Sequence, residues 1–188
     1  LHLPVFSFQP SRALQGTAEF GLRLPQCLLI PQISILVLTL PRVHVLYTAR
    51  LTTTANAQQI AKRINQYPQG FLVIEWQGQV CGFVNGGATF EVDLADEHFK
   101  DLQGHDPAGP NVVIMSVAVH PDAQGQGLAS QCLRGFIEAM RAQSKTHIYL
   151  ICQSSLVSWY ESFGFAYLKP SESNHGGLSW HDMVLKLT

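Results

Sequence analysis

Gln124-Gly125-Gln126-Gly127-Leu128-Ala129 is the stretch of this chain whose residue types and spacing say most about chemistry. A Gly-rich turn opening a helix presents backbone N–H groups that have no intrahelical partner, at the positive end of the helix dipole. Such a turn holds anions, phosphate above all. Gly125 and Gly127 let the backbone approach a bulky pyrophosphate with no Cβ in the way. Two common phosphate motifs are not met. No Gly-Lys-Ser/Thr follows, and Gly125-x-Gly127 leads to Ser130 where a dinucleotide fingerprint needs Gly or Ala. Tyr160, between Trp159 and Phe163, stands out among the late residues. Aromatic residues at helical spacing are ordinarily core.

Several elements must position that turn. Before it, Val112, Val113, Ile114, Met115, Val117, Ala118 and Val119 form an apolar run, expected to be a strand buried on both faces. Pro121-Asp122 favours a bend. After the turn, Leu128, Cys132, Phe136 and Met140 recur every fourth residue, the buried face of a helix. His147–Cys152 reads as a second buried strand, and a right-handed crossover would set the two strands parallel. A helix over Leu156–Phe163 follows, with Ser154 or Ser155 as cap and Gly164 as stop. Phe165–Leu168 and Trp180–Leu187 read as closing strands around a loop at His175-Gly176-Gly177. Upstream, Asn56 caps a helix to about Gln66. Phe71–Trp76 and Val80–Gly86 flank Gln77-Gly78 as a hairpin.

Bulk composition narrows the function classes. The chain has 188 residues, 46% hydrophobic and 13% charged, with a net charge of −1. One domain with a real core is expected, 1–188. Near-neutral charge argues against a nucleic-acid binder. The four cysteines, Cys27, Cys81, Cys132 and Cys152, lack metal-like or C-x-x-C spacing and read as buried free thiols of a cytoplasmic protein. The apolar run Cys27–Leu40 is too short to span a membrane and is broken by Pro31. A strand is expected near Ile33–Leu40. The chain opens on Leu1 rather than Met, as a fragment or a misread start would, and no basic segment marks a signal peptide. Thr89–Pro110 is an acidic connection with Glu91, Asp93, Asp96, Glu97, Asp101 and Asp106 around His98 and His105. It reads as a solvated loop with a short helix, and no metal is expected.

Gln124-x-x-Gly127-x-Ala129 resembles the Q/R-x-x-G-x-G/A signature of the GNAT N-acetyltransferases. Ser116-Val117-Ala118-Val119-His120-Pro121 is similar to that superfamily's fourth strand, and Trp159-Tyr160-Glu161-Ser162-Phe163-Gly164-Phe165 to its late helix. The resemblance covers residues 55–188 and leaves 1–50 poorly matched. It is closest to the serotonin (arylalkylamine) N-acetyltransferase-like branch and its bacterial relatives. It implies an α/β acyl-CoA N-acyltransferase fold: a mixed, largely antiparallel sheet with a splayed parallel strand pair and helices on both faces. It implies acetyl-CoA as cosubstrate, held by Val117, Ala118, Val119, Gln124, Gly125, Gln126, Gly127, Leu128, Ala129, Ser130 and Ser155. The pantetheine arm would pair with the strand at Val117 and Val119, as an added strand does.

Acetyl transfer to an amine needs a held thioester, a deprotonated amine and a protonated leaving thiolate. By the resemblance, Tyr160 is the general acid. The related branch carries an H-x-H pair on the strand before the loop, and the aligned positions here are Val113 and Met115. His120 matches a residue the family does not use as base. His175, His181 or an acidic-loop carboxylate remain as bases, and an amine can also lose its proton before binding. An acidic rim at Asp93 and Asp96 would attract a protonated amine. The expected acceptor is a small-molecule amine, with no nucleic acid or membrane partner, in a monomer or homodimer. The alternatives are a non-catalytic acyl-CoA sensor and an enzyme acting on a protein amine.

Overall fold

The computed structural model describes residues 33–37, 56–173 and 175–187. Cys27, the expected strand beyond Val37 and all other residues of 1–55 except 33–37 lie outside the described residues. Strand β1 spans Ile33–Val37. Helix α1, Ala57–Gln66, opens on a capping box: Asn56 Oδ1 accepts from the Gln59 amide at 2.9 Å and Gln59 Oε1 from the Asn56 amide at 3.1 Å. The chain then leaves the helix through Tyr67 and Pro68.

Strands β2, Phe71–Trp76, and β3, Gln79–Thr89, form the expected hairpin. Gln77 and Gly78 both take positive φ, 53° and 76°, the turn whose twist suits a two-residue hairpin loop. Strand β3 runs longer than the apolar pattern suggested. Strand β4, Asn111–Val119, follows, then helix α2, Leu128–Ala142, and strand β5, His147–Cys152. Helix α3, Val157–Glu161, and strands β6, Ala166–Pro170, and β7, His181–Lys186, complete the order.

The seven strands make one sheet in the order β1-β2-β3-β4-β5-β7-β6. Every neighbouring pair is antiparallel except β4–β5, which is parallel as the crossover through α2 requires. On one face, α2 buries Leu128, Cys132, Phe136 and Met140 against Leu72, Val84, Ile148 and Leu150. On the other, Ile60 and Ile64 of α1 pack on Phe71, Val73, Phe83 and Ala118. Helices therefore cover both faces of the sheet.

Two expectations are corrected. Strand β4 is not buried on both faces. Val112, Ile114 and Ala118 are buried, whereas Val113, Met115, Ser116 and Val117 are half-buried. Two things cause this. Pairing with β5 ends at Val113, and the register with β3 slips: Gly86 faces Ile114 and Asn85 faces Ser116, so Met115 is an extra residue, a β-bulge. Neither Ser154 nor Ser155 caps α3 by its side chain. A 3-10 turn over Ser154–Leu156 leads into a helix of five residues, and Ser154 Oγ instead meets His181 Nε2 at 2.7 Å. Gly164 does end α3, at φ 90°, where the Phe165 amide donates back to the Tyr160 carbonyl.

The acidic connection is anchored rather than merely solvated. Its 3-10 turn, Glu97–Asp101, buries Phe99 against Gly87, where a Cβ would stand 2.9 Å from the Phe99 ring. Arg63 Nε and Nη2 donate to the Lys100 carbonyl at 2.9 and 2.7 Å, and Lys145 Nζ donates to the Pro107 and Gly109 carbonyls. Among the described residues no helix is long and apolar enough to cross a membrane.

Phe136 is fully buried between α2 and the sheet. Truncating it in F136A should cost about 3–5 kcal/mol of stability, read as a lowered urea midpoint with the same slope.

Candidate active site

The glycine turn takes its shape from two left-handed residues, Gly125 at φ 75° and Gly127 at φ 73°. Nothing lies within 4 Å of the Cβ that either would carry, so the turn faces open space and its glycines answer a backbone need rather than a packing one. Gly127 is the N-cap of α2, with no side-chain cap and no acidic residue in the first turn. The first amides of α2, at Leu128, Ala129 and Ser130, are therefore not neutralised locally, which suits an anion. Gln124 and Gln126 are exposed, Ala129 and Ser130 half-buried and Leu128 buried. Gln124 Nε2 donates to the Val119 carbonyl at 3.3 Å and ties the turn to the end of β4. His120 Nδ1 accepts from the Asp122 amide at 3.2 Å, so His120 shapes the turn.

The same turn opens onto a gap in the sheet. Strands β4 and β5 pair only at Asn111–His147, Val112–Ile148 and Val113–Tyr149. From Ile114 to Val119, β4 continues with β3 on one side and, among the described residues, no strand on the other. Backbone groups along that stretch form an open edge inside the sheet, the arrangement that accepts an added strand-like chain. After the Met115 bulge, Val117 and Val119 turn to the α2 face, and Ala118 turns to the α1 face.

Tyr160 lies on α3, which follows β5. Its ring is T-shaped to Trp159 at 4.7 Å and to Phe165 at 5.6 Å. It is buried in the α2-side core, yet no hydrogen bond to its hydroxyl forms among the described residues. Burial, with the nearby Cys152 thiol, pushes the phenol well above its ordinary pKa, so it stays protonated through neutral pH. Burial also pushes the Cys152 thiol up to about 11, and Cys81 and Cys132 upward as well, so none of the three is a ready nucleophile. Ser155 is exposed on the turn before α3.

The glycine turn and the open β4 edge thus adjoin one gap, and Tyr160 lies in the core cluster against which Val117 and Val119 pack. Val113 and Met115 are half-buried apolar residues of the same strand. Asp93 and Asp96 cap turns of their own loop, accepting from the Ala95 and His98 amides at 2.9 Å each. His181 spends Nε2 on Ser154, and its Nδ1 is buried without a partner.

Two features escaped the sequence. Asn85 is fully buried opposite Ser116 at the bulge, and neither of its amide atoms has a partner. An isolated Asn in an apolar strand is its faint sequence sign. Glu97, one carboxylate among several, holds Lys100 of its own turn and gathers Ser173 and His175 from a distant segment. No pattern in the sequence pairs it with Ser173 or His175.

The model of the acetyltransferase (GNAT) family matches residues 40–165. The serotonin N-acetyltransferase of Mesocricetus auratus is 27% identical over 112 residues, 59% of this chain and 53% of that protein. The chain spans about half, or less, of the length of the curated relatives it matches. Among solved structures, the loading GNATL domain of CurA from Lyngbya majuscula superposes with a TM-score of 0.69 at 14% identity, covering 82% of this chain and 98% of that one. The ribosomal-protein-S18-alanine N-acetyltransferase of Escherichia coli superposes at 0.58 with 19% identity, covering 83% and 94%.

The open space around Gly127 makes its substitution a clean test of the backbone. G127A should lose roughly 1–2 kcal/mol, because any Cβ strains a left-handed residue. A melting scan should show a fall of about 2–4 °C per kcal/mol.

Proposed function

The chain belongs to the GNAT acetyltransferase family, and on that ground we propose that it transfers the acetyl group of acetyl-CoA to the amine of a small molecule. The observation that carries this reading is the open edge of β4 ending in an unneutralised helix N-terminus. A strand-like arm bearing amides and a pyrophosphate fits both at once. In this reading Gly125, Gln126 and Gly127, with the first amides of α2 at Leu128, Ala129 and Ser130, cradle the pyrophosphate, and Gln124 fixes the turn. The backbone at Val117, Ala118 and Val119 takes the pantetheine amides, and Ser155 borders the far side of the gap.

Tyr160 is proposed as the general acid. A phenol kept neutral by burial can give its proton to the departing thiolate, and proton donation by a positioned group is usually worth 10²–10⁴-fold. The acceptor is proposed to be an arylalkylamine, as the hamster relative's name would suggest. The apolar Val113 and Met115 suit the hydrocarbon part of such an amine but cannot take its proton. A protein amine is the second reading, favoured by the exposed Phe90, Leu168 and Leu178, which a peptide could cover.

Release of CoA thiol from acetyl-CoA with a panel of arylalkylamines and free-N-terminal peptides tests the proposal. Y160F should lose at least ~10-fold in kcat, while acetyl-CoA still raises its melting temperature as it does for the parent. Full activity in Y160F would remove the phenol from the mechanism.

A further inference from the structure

We propose that His175, oriented by Glu97, is the general base that takes the proton of the acceptor amine. This rests on the acetyltransferase reading above and adds the group that reading lacks. Three lines of geometry lead to it.

The first is the fate of the other histidines. Of the described ones, His105 has Nδ1 against the Ala88 backbone at 3.0 Å and Nε2 buried without a partner. His120 uses Nδ1 as acceptor for the Asp122 amide. His147 lies at the closed end of the β4–β5 pair and meets Thr146 Oγ1 at 3.0 Å. His181 is engaged on one nitrogen and buried on the other. His98 is exposed on the acidic turn and shares its carboxylate cap. Only His175, among the described residues, has a ring nitrogen against a carboxylate of another segment, Nδ1 to Glu97 Oε2 at 3.1 Å.

The second is the tautomer this contact selects. A carboxylate accepts only, so Nδ1 carries the proton and donates it, and Nε2 keeps its lone pair. His175 is half-buried, and its Nε2 has no hydrogen-bond partner among the described residues and is not sealed from solvent. A base needs that state: one nitrogen held, the other free. Glu97 also stabilises the imidazolium once the proton arrives. The carboxylate is itself fixed. Lys100 Nζ donates to both its oxygens, at 2.9 and 2.7 Å, and Ser173 Oγ donates to Oε1 at 3.4 Å. Burial opposes its ionisation, but Lys100 and His175 hold its pKa below the usual carboxylate range. Trp180 Nε1 donates to the His175 carbonyl at 2.8 Å and steadies the loop.

The third is position. The Glu97–Asp101 turn sits on the α1 side of β3 and β4, through Phe99 on Gly87 and through Arg63, whose Nη1 reaches Ser116 Oγ at 3.4 Å. His175 comes from the connection between β6 and β7, and β7 is the neighbour of β5. The Glu97–His175 contact therefore joins the turn docked on β3 and β4 to the connection that leads into β7, on the β5 side of the sheet. Tyr160 belongs to the core on the α2 side. Acid and base approach the gap from opposite faces of the sheet.

The proton balance closes. His175 Nε2 takes one proton from the bound ammonium. The free amine forms the C–N bond at the thioester carbon, the C–S bond breaks, and Tyr160 protonates the leaving sulfur. The second nitrogen proton leaves as the amide forms and restores the phenol. One proton is released overall, from His175 to solvent. The charged group that meets the pair is Lys100. Nearby in sequence, Lys169 of β6 and Glu172 of the following loop satisfy each other at 2.6 Å.

The test follows CoA thiol release with phenylethylamine, tryptamine and a free-N-terminal peptide, from mildly acidic to strongly alkaline pH. H175A should lose about 10²–10⁴-fold in kcat/KM for the amine at neutral pH. The loss should shrink as alkali deprotonates the amine, and added imidazole should restore part of it. The rise in melting temperature with acetyl-CoA should be unchanged. E97Q, which keeps the hydrogen bond and removes the charge, should show a smaller loss in the same pH range. Activity of H175A within about twofold of the parent would overturn the assignment and leave the acetyltransferase reading standing. A loss equal at every pH and untouched by imidazole would also overturn it, since it would make the contact a structural strap. A parent that transfers to none of the amines would overturn the acetyltransferase reading, and the base with it.

Discussion

The early end of the pairing between β4 and β5 is the constraint on which the site depends. Parallel strands need a crossover, and the crossover here, through the turn and α2, returns the chain at the start of β4 rather than along its length. Three residue pairs form and the strands then part. A break inside a sheet leaves unpaired backbone donors and acceptors, which is costly unless water or a ligand meets them. The surrounding structure tolerates the break because β3 holds β4 on one side and β7 holds β5 on the other.

The Met115 bulge complements that break. Side chains alternate along a strand, so one extra residue transfers every later residue to the opposite face. It lets Val112 and Ile114 pack under α2 before the bulge, and lets Val117 and Val119 do so after it. It also brings Ser116 and Ala118 to the α1 face, where Arg63 ties the acidic turn to the strand. One insertion thus shapes both sides of the gap.

Around the gap, the residues divide by the work that packing does on them. Tyr160 is enclosed by aromatic neighbours that keep its phenol neutral. Glu97 is kept charged by the cations and donors that surround it. Opposite environments imposed on two groups across one cleft set their protonation states apart, and acid–base chemistry uses such a difference.

Much of this was legible in the sequence because it is local. The Asn56 capping box, the Gln77-Gly78 hairpin, the fourfold spacing of Leu128 to Met140 and the Gly164 stop each depend on residues within a few positions of one another. The glycine turn was equally plain, since positive φ at Gly125 and Gly127 is a property of the residue type. Other features were decided only by the tertiary structure. The half-exposure of β4 depends on where β5 stops pairing and on a bulge set by β3, neither of which an apolar run records. Ser154 was drawn to His181, 27 residues away, rather than to its own helix. Glu97 and His175 lie 78 residues apart, in segments rich in ordinary surface residues. The chain determined its helices, its hairpin and its anion turn by itself. The gap and the groups facing each other across it were settled by strand register and loop docking, which are non-local.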